Sequence, residues 1–340
     1  MKQLKPAFSL TLLMLLLTTL DASAWIRSPA TTFATLPAGA AHPEGITVDT
    51  EGNVYVATFG AGASGNGHIY VFSPSGRLLR DVTVAGSSPL LLDLAFHPST
   101  GELLVLDFGN HRVLRVNPFT GAASPFTTLP AGAGPNVLTF DAAGNVYISD
   151  SFGGIIWKTG AAGGPAMAWV TSPLLAPAPL PHGVPPFGAN GLVFNRAETA
   201  LFVANTSNDT IVKIPVTNGT PGSPAIFVYS VNGPDGLIRD DDDNLWVAAN
   251  QADEIVVINP DGRVIAKLGD FEGLSPQGAP RGLLFPASLV RSGEFIYVTN
   301  LAIDLRLFGF LTVDALWAAD VTTHTVAKIS ARIPPIQGLK

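Results

Sequence analysis

Apolar and polar residues alternate with a period of two along most of the chain, in short runs cut by Gly, Asn, Asp and Pro. That period puts successive side chains on opposite faces of a strand and predicts an all-β protein. One phrase recurs. A loop ending in Pro or Ala is followed by a variable residue, Gly, an alternating strand, a turn and a second strand. Clear copies begin Pro43-Glu44-Gly45, Pro135-Asn136, Ala189-Asn190-Gly191 and Pro234-Asp235-Gly236. Their second strands are headed by Gly52-Asn53-Val54, Gly144-Asn145-Val146, Ala200-Leu201-Phe202 and Asn244-Leu245-Trp246. Looser copies are Leu92-Asp93-Leu94 and Pro280-Arg281-Gly282.

The variable residue falls at 44, 92, 136, 190, 235 and 281. A third strand follows most pairs, as in His68-Ile69-Tyr70-Val71, and a fourth follows some, as in Arg263-Val264-Ile265-Ala266. Four strands in a period of about 47 residues fit one propeller blade. Six copies predict a six-bladed β-propeller of four-stranded antiparallel blades, one domain over residues 25–340. Two ring closures remain open. Thr32-Phe33-Ala34-Thr35-Leu36 echoes the outer strand Pro125-Phe126-Thr127-Thr128-Leu129, so it can serve as the outer strand of blade six. Alternatively, Ala315-Leu316-Trp317 and Thr323 to Lys328 complete that blade as strands three and four. In either case residues 301–313 form an insertion in blade six.

The first 24 residues stand apart. Lys2 and Lys5 precede a 13-residue apolar stretch, Phe8 to Leu20, and Ala22-Ser23-Ala24 is a small-residue cleavage site. This is the pattern of a secretory signal peptide, and the stretch is short of the ~20 residues a membrane span needs. The expected location is the periplasm or the extracellular space, with no membrane attachment after cleavage. Composition narrows the picture further. The net charge is −7, 13% of residues are charged and 47% are hydrophobic. That excludes a disordered chain and argues against nucleic acid as a partner. With no cysteine, disulfides, thiolate catalysis and cysteine-bound metals are excluded. The expected partner is a small-molecule substrate, and the expected state is a monomer.

The residue that opens each inner strand of a propeller points toward the axis. Six scattered positions therefore meet: Glu44, Leu92, Asn136, Asn190, Asp235 and Arg281. Four of them carry hard oxygens. Two carboxylates converging in a channel repel and lose hydration, and a divalent cation removes both costs. Calcium accepts six to eight oxygens from carboxylates, amides and water. With neither sulfur nor histidine in these positions, zinc and copper fit poorly.

The four clear motifs, Pro43-Glu44-Gly45, Pro135-Asn136, Ala189-Asn190-Gly191-Leu192-Val193-Phe194 and Gly233-Pro234-Asp235-Gly236-Leu237, resemble those of the gluconolactonase/regucalcin (senescence marker protein, SMP-30) family. The resemblance implies a channel-bound calcium or similar divalent ion and hydrolysis of lactones or organophosphates. It carries metal ligation over to Glu44, Asn190 and Asp235, and contact with metal or substrate to Asn136. Two departures stand out. The motif at Asn136 continues with Val137-Leu138 where the family usually has an acid, and Arg281 brings a cation to the sixth position.

On this reading the metal polarises a lactone or ester carbonyl, and Asp235 is the general base or nucleophile. Arg281 is expected to pair with Asp93 or bind an anionic group. His182, in the proline-rich loop before Asn190, is a candidate proton donor. Residues Thr58, Asp107, Asp150, Asn205, Asn250 and Asn300 recur at strand ends and read as turn caps. Two other functions are open. Phe108-Gly109-Asn110-His111-Arg112-Val113 resembles an NHL repeat, which suggests a non-catalytic binding scaffold. Pro43-Glu44-Gly45-Ile46-Thr47-Val48 resembles a streptogramin lyase, whose chemistry calls for a histidine base.

Overall fold

The structure, a computed structural model, describes residues 27–178, 187–308 and 314–334. Residues 1–24 and His182 lie outside the described residues. Six four-stranded antiparallel sheets follow one another in chain order. Their inner strands are His42–Val48, Leu91–Phe96, Pro135–Phe140, Ala189–Phe194, Pro234–Arg239 and Pro286–Ser292. Each packs against the next, and the last packs against the first, which closes a six-bladed ring. Blade four carries an extra two-residue strand, Thr220–Pro221, on its third strand. Among the described residues, no helix is long and apolar enough to cross a membrane.

The core is laid down between blades. One apolar layer joins Tyr55, Ile69 and Val82 of blade one to Leu91, Leu94 and Leu103 of blade two. Equivalent layers fill the other five seams. Both faces of each blade are therefore covered. This is why second strands such as Leu103–Asp107 and Leu245–Ala249 are buried along their whole length. In three blades an aspartate locks the turn between the first two strands. Asp240 accepts bonds from the backbone and side-chain amides of Asn244 and from the Trp246 indole. Asp49 does the same with Asn53 and Tyr55, and Asp141 with Asn145 and Tyr147. The acidic run Asp240 to Asp243 is thus a hairpin turn.

Ring closure uses the chain's N-terminal segment. Thr31–Thr35 pairs antiparallel with Thr325–Ser330 as the outer strand of blade six, with Thr31 opposite Lys328 and Thr35 opposite Thr325. The alternative completion is overturned. Residues Asp314–Ala318 are a short helix, as suits a stretch rich in Ala and Leu, and Thr325–Ser330 is the third strand.

The sixth axial position also needs correction. Pro280–Gly282 pairs with Phe271–Leu274 in a small hairpin outside the blades. The sequence imitates the repeated phrase, but Gly282 has φ +76°, and a Cβ there would collide with the Asp270 carbonyl oxygen. The chain therefore turns at this point instead of running on as an inner strand. Blade six starts at Pro286, opposite Asn300, and its axial residue is Ala287.

Candidate functional site

Every inner strand shows the same irregularity. In blade one the register runs Pro43 opposite Thr58 and then slips before Ile46 opposite Val56. Equivalent slips follow Leu91, Pro135, Ala189, Pro234 and Pro286. A bulge bends its strand and re-aims the residues within it. Here the first residue after the slip begins is Glu44, Leu92, Asn136, Asn190, Asp235 or Ala287. Where the next position is glycine, neighbouring inner strands come into contact: a Cβ on Gly191 would strike the Asp235 carbonyl oxygen of the following blade.

Glu44, Asn136, Asn190 and Asp235 all line one cavity of about 340 Å³, and all four are buried. Arg281 is absent from this group. It is exposed on the outer hairpin, where its guanidinium donates to the Glu272 carbonyl at 2.6 Å. The expected partner Asp93 is instead buried beside the hub. It accepts the Leu138 amide of blade three at 2.8 Å. Val137, which stands where the family usually has an acid, packs into the seam between blades three and four.

The hydrogen bonds fix which way the amides face. Ser151 Oγ donates its one proton to the Ala189 carbonyl at 2.7 Å, so it can only accept from Asn136 Nδ2, 3.0 Å away. Thr206 repeats the device: its hydroxyl donates to the Pro234 carbonyl at 2.8 Å and accepts Asn190 Nδ2 at 3.0 Å. Asn250 Nδ2 donates to Asp235 Oδ2 at 3.1 Å. The opposite atoms are left without partners. Glu44 Oε2, Asn136 Oδ1, Asn190 Oδ1, Asp235 Oδ1 and Asn250 Oδ1 are buried and make no hydrogen bond among the described residues. An orphaned buried acceptor costs about 1–3 kcal/mol. Five acceptors lining one cavity are a donor set for a cation.

The electrostatics agree. Burial, then the Asp235 and Asp93 carboxyls, hold Glu44 well above the usual carboxylate range. Burial pushes Asp235 up to about 7 against the lowering hydrogen bond from Asn250, and it pushes Asp93 to about 7 as well. Among the described residues no group of three or more His, Cys, Asp and Glu could hold a metal. The site is therefore a mixed carboxylate–amide one, which suits a hard, oxygen-seeking ion such as calcium and not zinc. The residues present fit the ion that the family resemblance implies.

Sequence reasoning missed Ser151 and Thr206 and read Asn250 only as a turn cap. It also missed the walls. Counting one residue past the second-strand position paired with the last inner-strand residue before the slip gives Phe59, Phe108, Ser151, Thr206, Asn250 and Leu301 in blade order. That register holds the orienting groups of blades three to five and apolar wall residues of blades six, one and two. Asp150 and Asn205 do cap turns, whereas Asp107 and Asn300 brace distant segments by accepting the amides of Ser88 and Leu284. Asp150, for example, accepts the amides of Gly134, Phe152 and Gly153.

The fold and the hub together define a six-bladed propeller with an acceptor-lined axial cavity. The chain belongs to the SMP-30/gluconolactonase/LRE-like family, whose model matches residues 14–106 and 183–269, just over half of it. Among solved structures it is similar to a luciferin-regenerating enzyme, with 14% identity and a TM-score of 0.66 over 92% of this chain and 99% of that one. It is also similar to a calcium-binding protein, regucalcin, from Agrobacterium tumefaciens, with 16% identity and a TM-score of 0.62 over 92% and 100%. A virginiamycin B lyase from Staphylococcus aureus is similar at 18% identity and a TM-score of 0.53 over 78% and 80%. At these identities the likeness carries the fold. No curated protein matches the chain.

Proposed function

We propose that the protein is an exported hydrolase of a lactone or ester that depends on a divalent cation, calcium being the ion its donor set suits best. The observation that carries this reading is the set of five partnerless, buried oxygens around one cavity. Glu44, Asn136, Asn190 and Asp235 would hold the ion, with Asn250 beside them. When bound, the ion supplies a positive centre that polarises a carbonyl and offsets the negative charge developing on its oxygen. Asp235 would manage the proton. Its Oδ2 is held by Asn250, and its Oδ1 is free on the cavity side. The lone pair of Oδ1 that the ion does not take would accept a proton from the attacking water as the water oxygen bonds the carbonyl carbon. It returns that proton to the departing alkoxide when the ring or ester C–O bond breaks. Asn136 and Asn190, held at Nδ2 by Ser151 and Thr206, would leave their oxygens for the ion. Export rests on the N-terminal charge, apolar stretch and Ala22-Ser23-Ala24, and the reading includes a monomer acting on a small molecule.

The test is a panel of lactones and aryl esters assayed with calcium and with chelator, for wild type and Asp235→Asn. We expect hydrolysis that chelation abolishes and calcium restores, and a fall of at least about 10²-fold in the variant. Turnover indifferent to chelator, or undiminished in Asp235→Asn, contradicts the reading. A lyase of the kind found in S. aureus gives a different product. Elimination incorporates no oxygen from heavy-oxygen water, whereas hydrolysis does.

A further inference from the structure

The cavity has a polar floor and an apolar superstructure. Phe59, Phe108, Phe152, Phe187 and Phe285 line it, and Leu90, Leu92, Leu301, Ile303 and Leu305 complete the walls. Four of the rings form a continuous arc over the mouth. Phe59 meets Phe108 with centroids 6.1 Å apart, Phe108 meets Phe152 at 5.8 Å, and Phe152 stacks on Phe187 at 5.9 Å. Phe285, Leu301, Ile303 and Leu305 form their own buried cluster against Phe59. Polar side chains reach the cavity only as Glu44, Asn136, Asn190, Thr206, Asp235 and Asn250 among the described residues, and the Thr206 hydroxyl proton and one amide proton each of Asn136, Asn190 and Asn250 are already committed within the protein. Apart from that floor, the described lining side chains can neither donate to nor accept from a substrate hydroxyl.

We infer that the substrate carries an apolar alkyl or aryl substituent next to its reacting carbonyl, and that the site rejects polyhydroxylated sugar lactones. This rests on the hydrolase reading for the reacting group, but not for the shape of the pocket. A sugar lactone would press several hydroxyls against phenyl and aliphatic walls that cannot pair them, which is a costly mismatch. An alkyl or aryl group would instead exchange water for ring faces and side-chain methyls. The substituent would lie against the rings from Phe59 through Phe108 to Phe152, on the side where Leu301, Phe59 and Phe108 replace the polar groups of blades three to five. A cavity of about 340 Å³ is at the small end for ligand sites, so the substrate is compact.

Binding of unreactive γ-lactams to the calcium-loaded protein, by titration calorimetry, tests this apart from catalysis. The ladder runs from unsubstituted to hexyl-substituted γ-lactam, with gluconolactam as the polyol member. We expect affinity to rise about fourfold per methylene until the cavity is full, with gluconolactam the weakest. Phe152→Ser removes a ring that is 44% exposed, so it leaves the blade seams closed. It should weaken the longer alkyl lactams severalfold more than the parent. A flat ladder, gluconolactam binding as tightly as the alkyl members, or a Phe152→Ser ladder identical to wild type overturns the inference. An intact ladder without hydrolysis of any lactone or ester leaves the inference standing and removes the hydrolase reading.

Discussion

Asn136 and Asn190 show how a neutral side chain can be turned so that its oxygen, and not its bonded nitrogen, is left without a partner. An amide offers a donor and an acceptor, and what it presents depends on what holds its other end. Here Ser151 and Thr206 each spend their proton on a carbonyl of the next blade, Ala189 or Pro234, and are left able only to accept. The amide nitrogens must face them, and the oxygens face the hub. Removing either hydroxyl frees the amide to turn a donor inward. Ser151→Ala and Thr206→Val are each expected to lower calcium affinity roughly tenfold, with Thr206→Ser close to wild type. Calorimetric titration of the metal-stripped proteins reads this, and unchanged affinity in both variants would show that the hydroxyls do not orient the ligands. These two residues were invisible in the sequence because Ser and Thr are ordinary turn residues. Only the register of the folded blades shows that they share a position with Asn250. Glu44 and Asp235 were legible because each sits between Pro and Gly at the start of an alternating strand.

The strands themselves were legible because a blade repeats its alternation and its turn chemistry at a nearly fixed interval. Blade six was the exception. Pro280-Arg281-Gly282-Leu283-Leu284-Phe285 carries the spelling of an inner strand, but the positive φ of Gly282 and the hairpin with Phe271–Leu274 take it out of the ring. The true inner strand, beginning Pro286-Ala287-Ser288, has no polar axial residue to announce it. Ring closure was half legible: the echo between residues 32–36 and 125–129 marks an outer strand of blade six, as the structure has it, but residues 315–328 spell a competing completion of the same blade. The clasp strand Thr31–Thr35 is anchored on one side only. Ala34 is buried among Val54, Tyr297 and Val326, while Thr32 is exposed. Ala34→Asp should therefore cost about 3 kcal/mol or more, as an unpaired charge sealed in a seam does. Thr32→Asp, on the open face, should stay within about 0.5 kcal/mol. Denaturant unfolding distinguishes them, and equal effects would mean that the clasp is not packed as described.

At the scale of the whole molecule, one narrow hub is asked to hold several carboxyls at once. The described residues fill six seams with apolar side chains and gather at the axis acceptors that no described residue satisfies. This part of the account was legible in outline, because the period converts distant residues into neighbours. The apolar character of the cavity was not, because Phe59, Phe108 and Leu301 look like any strand-end hydrophobics until the ring is assembled.

The hub has a direct thermodynamic signature. Without metal, burial holds Asp93 and Asp235 at about 7 and Glu44 well above its usual range. The folded chain then binds protons more tightly than the unfolded chain, so stability is greatest in acid and falls as pH rises through 7. His42 and His324 are lowered by burial, His324 to about 4, and they act in the opposite sense, but only below about pH 6.5. The window from about pH 6.5 to 8 therefore isolates the carboxyls. Thermal unfolding of the metal-stripped protein across that window, with and without calcium, is the most direct test. The account predicts that the stripped protein loses stability as pH rises, and that calcium abolishes the loss and stabilises most at pH 8. A melting temperature indifferent to calcium, or a calcium effect that shrinks toward pH 8, would contradict it.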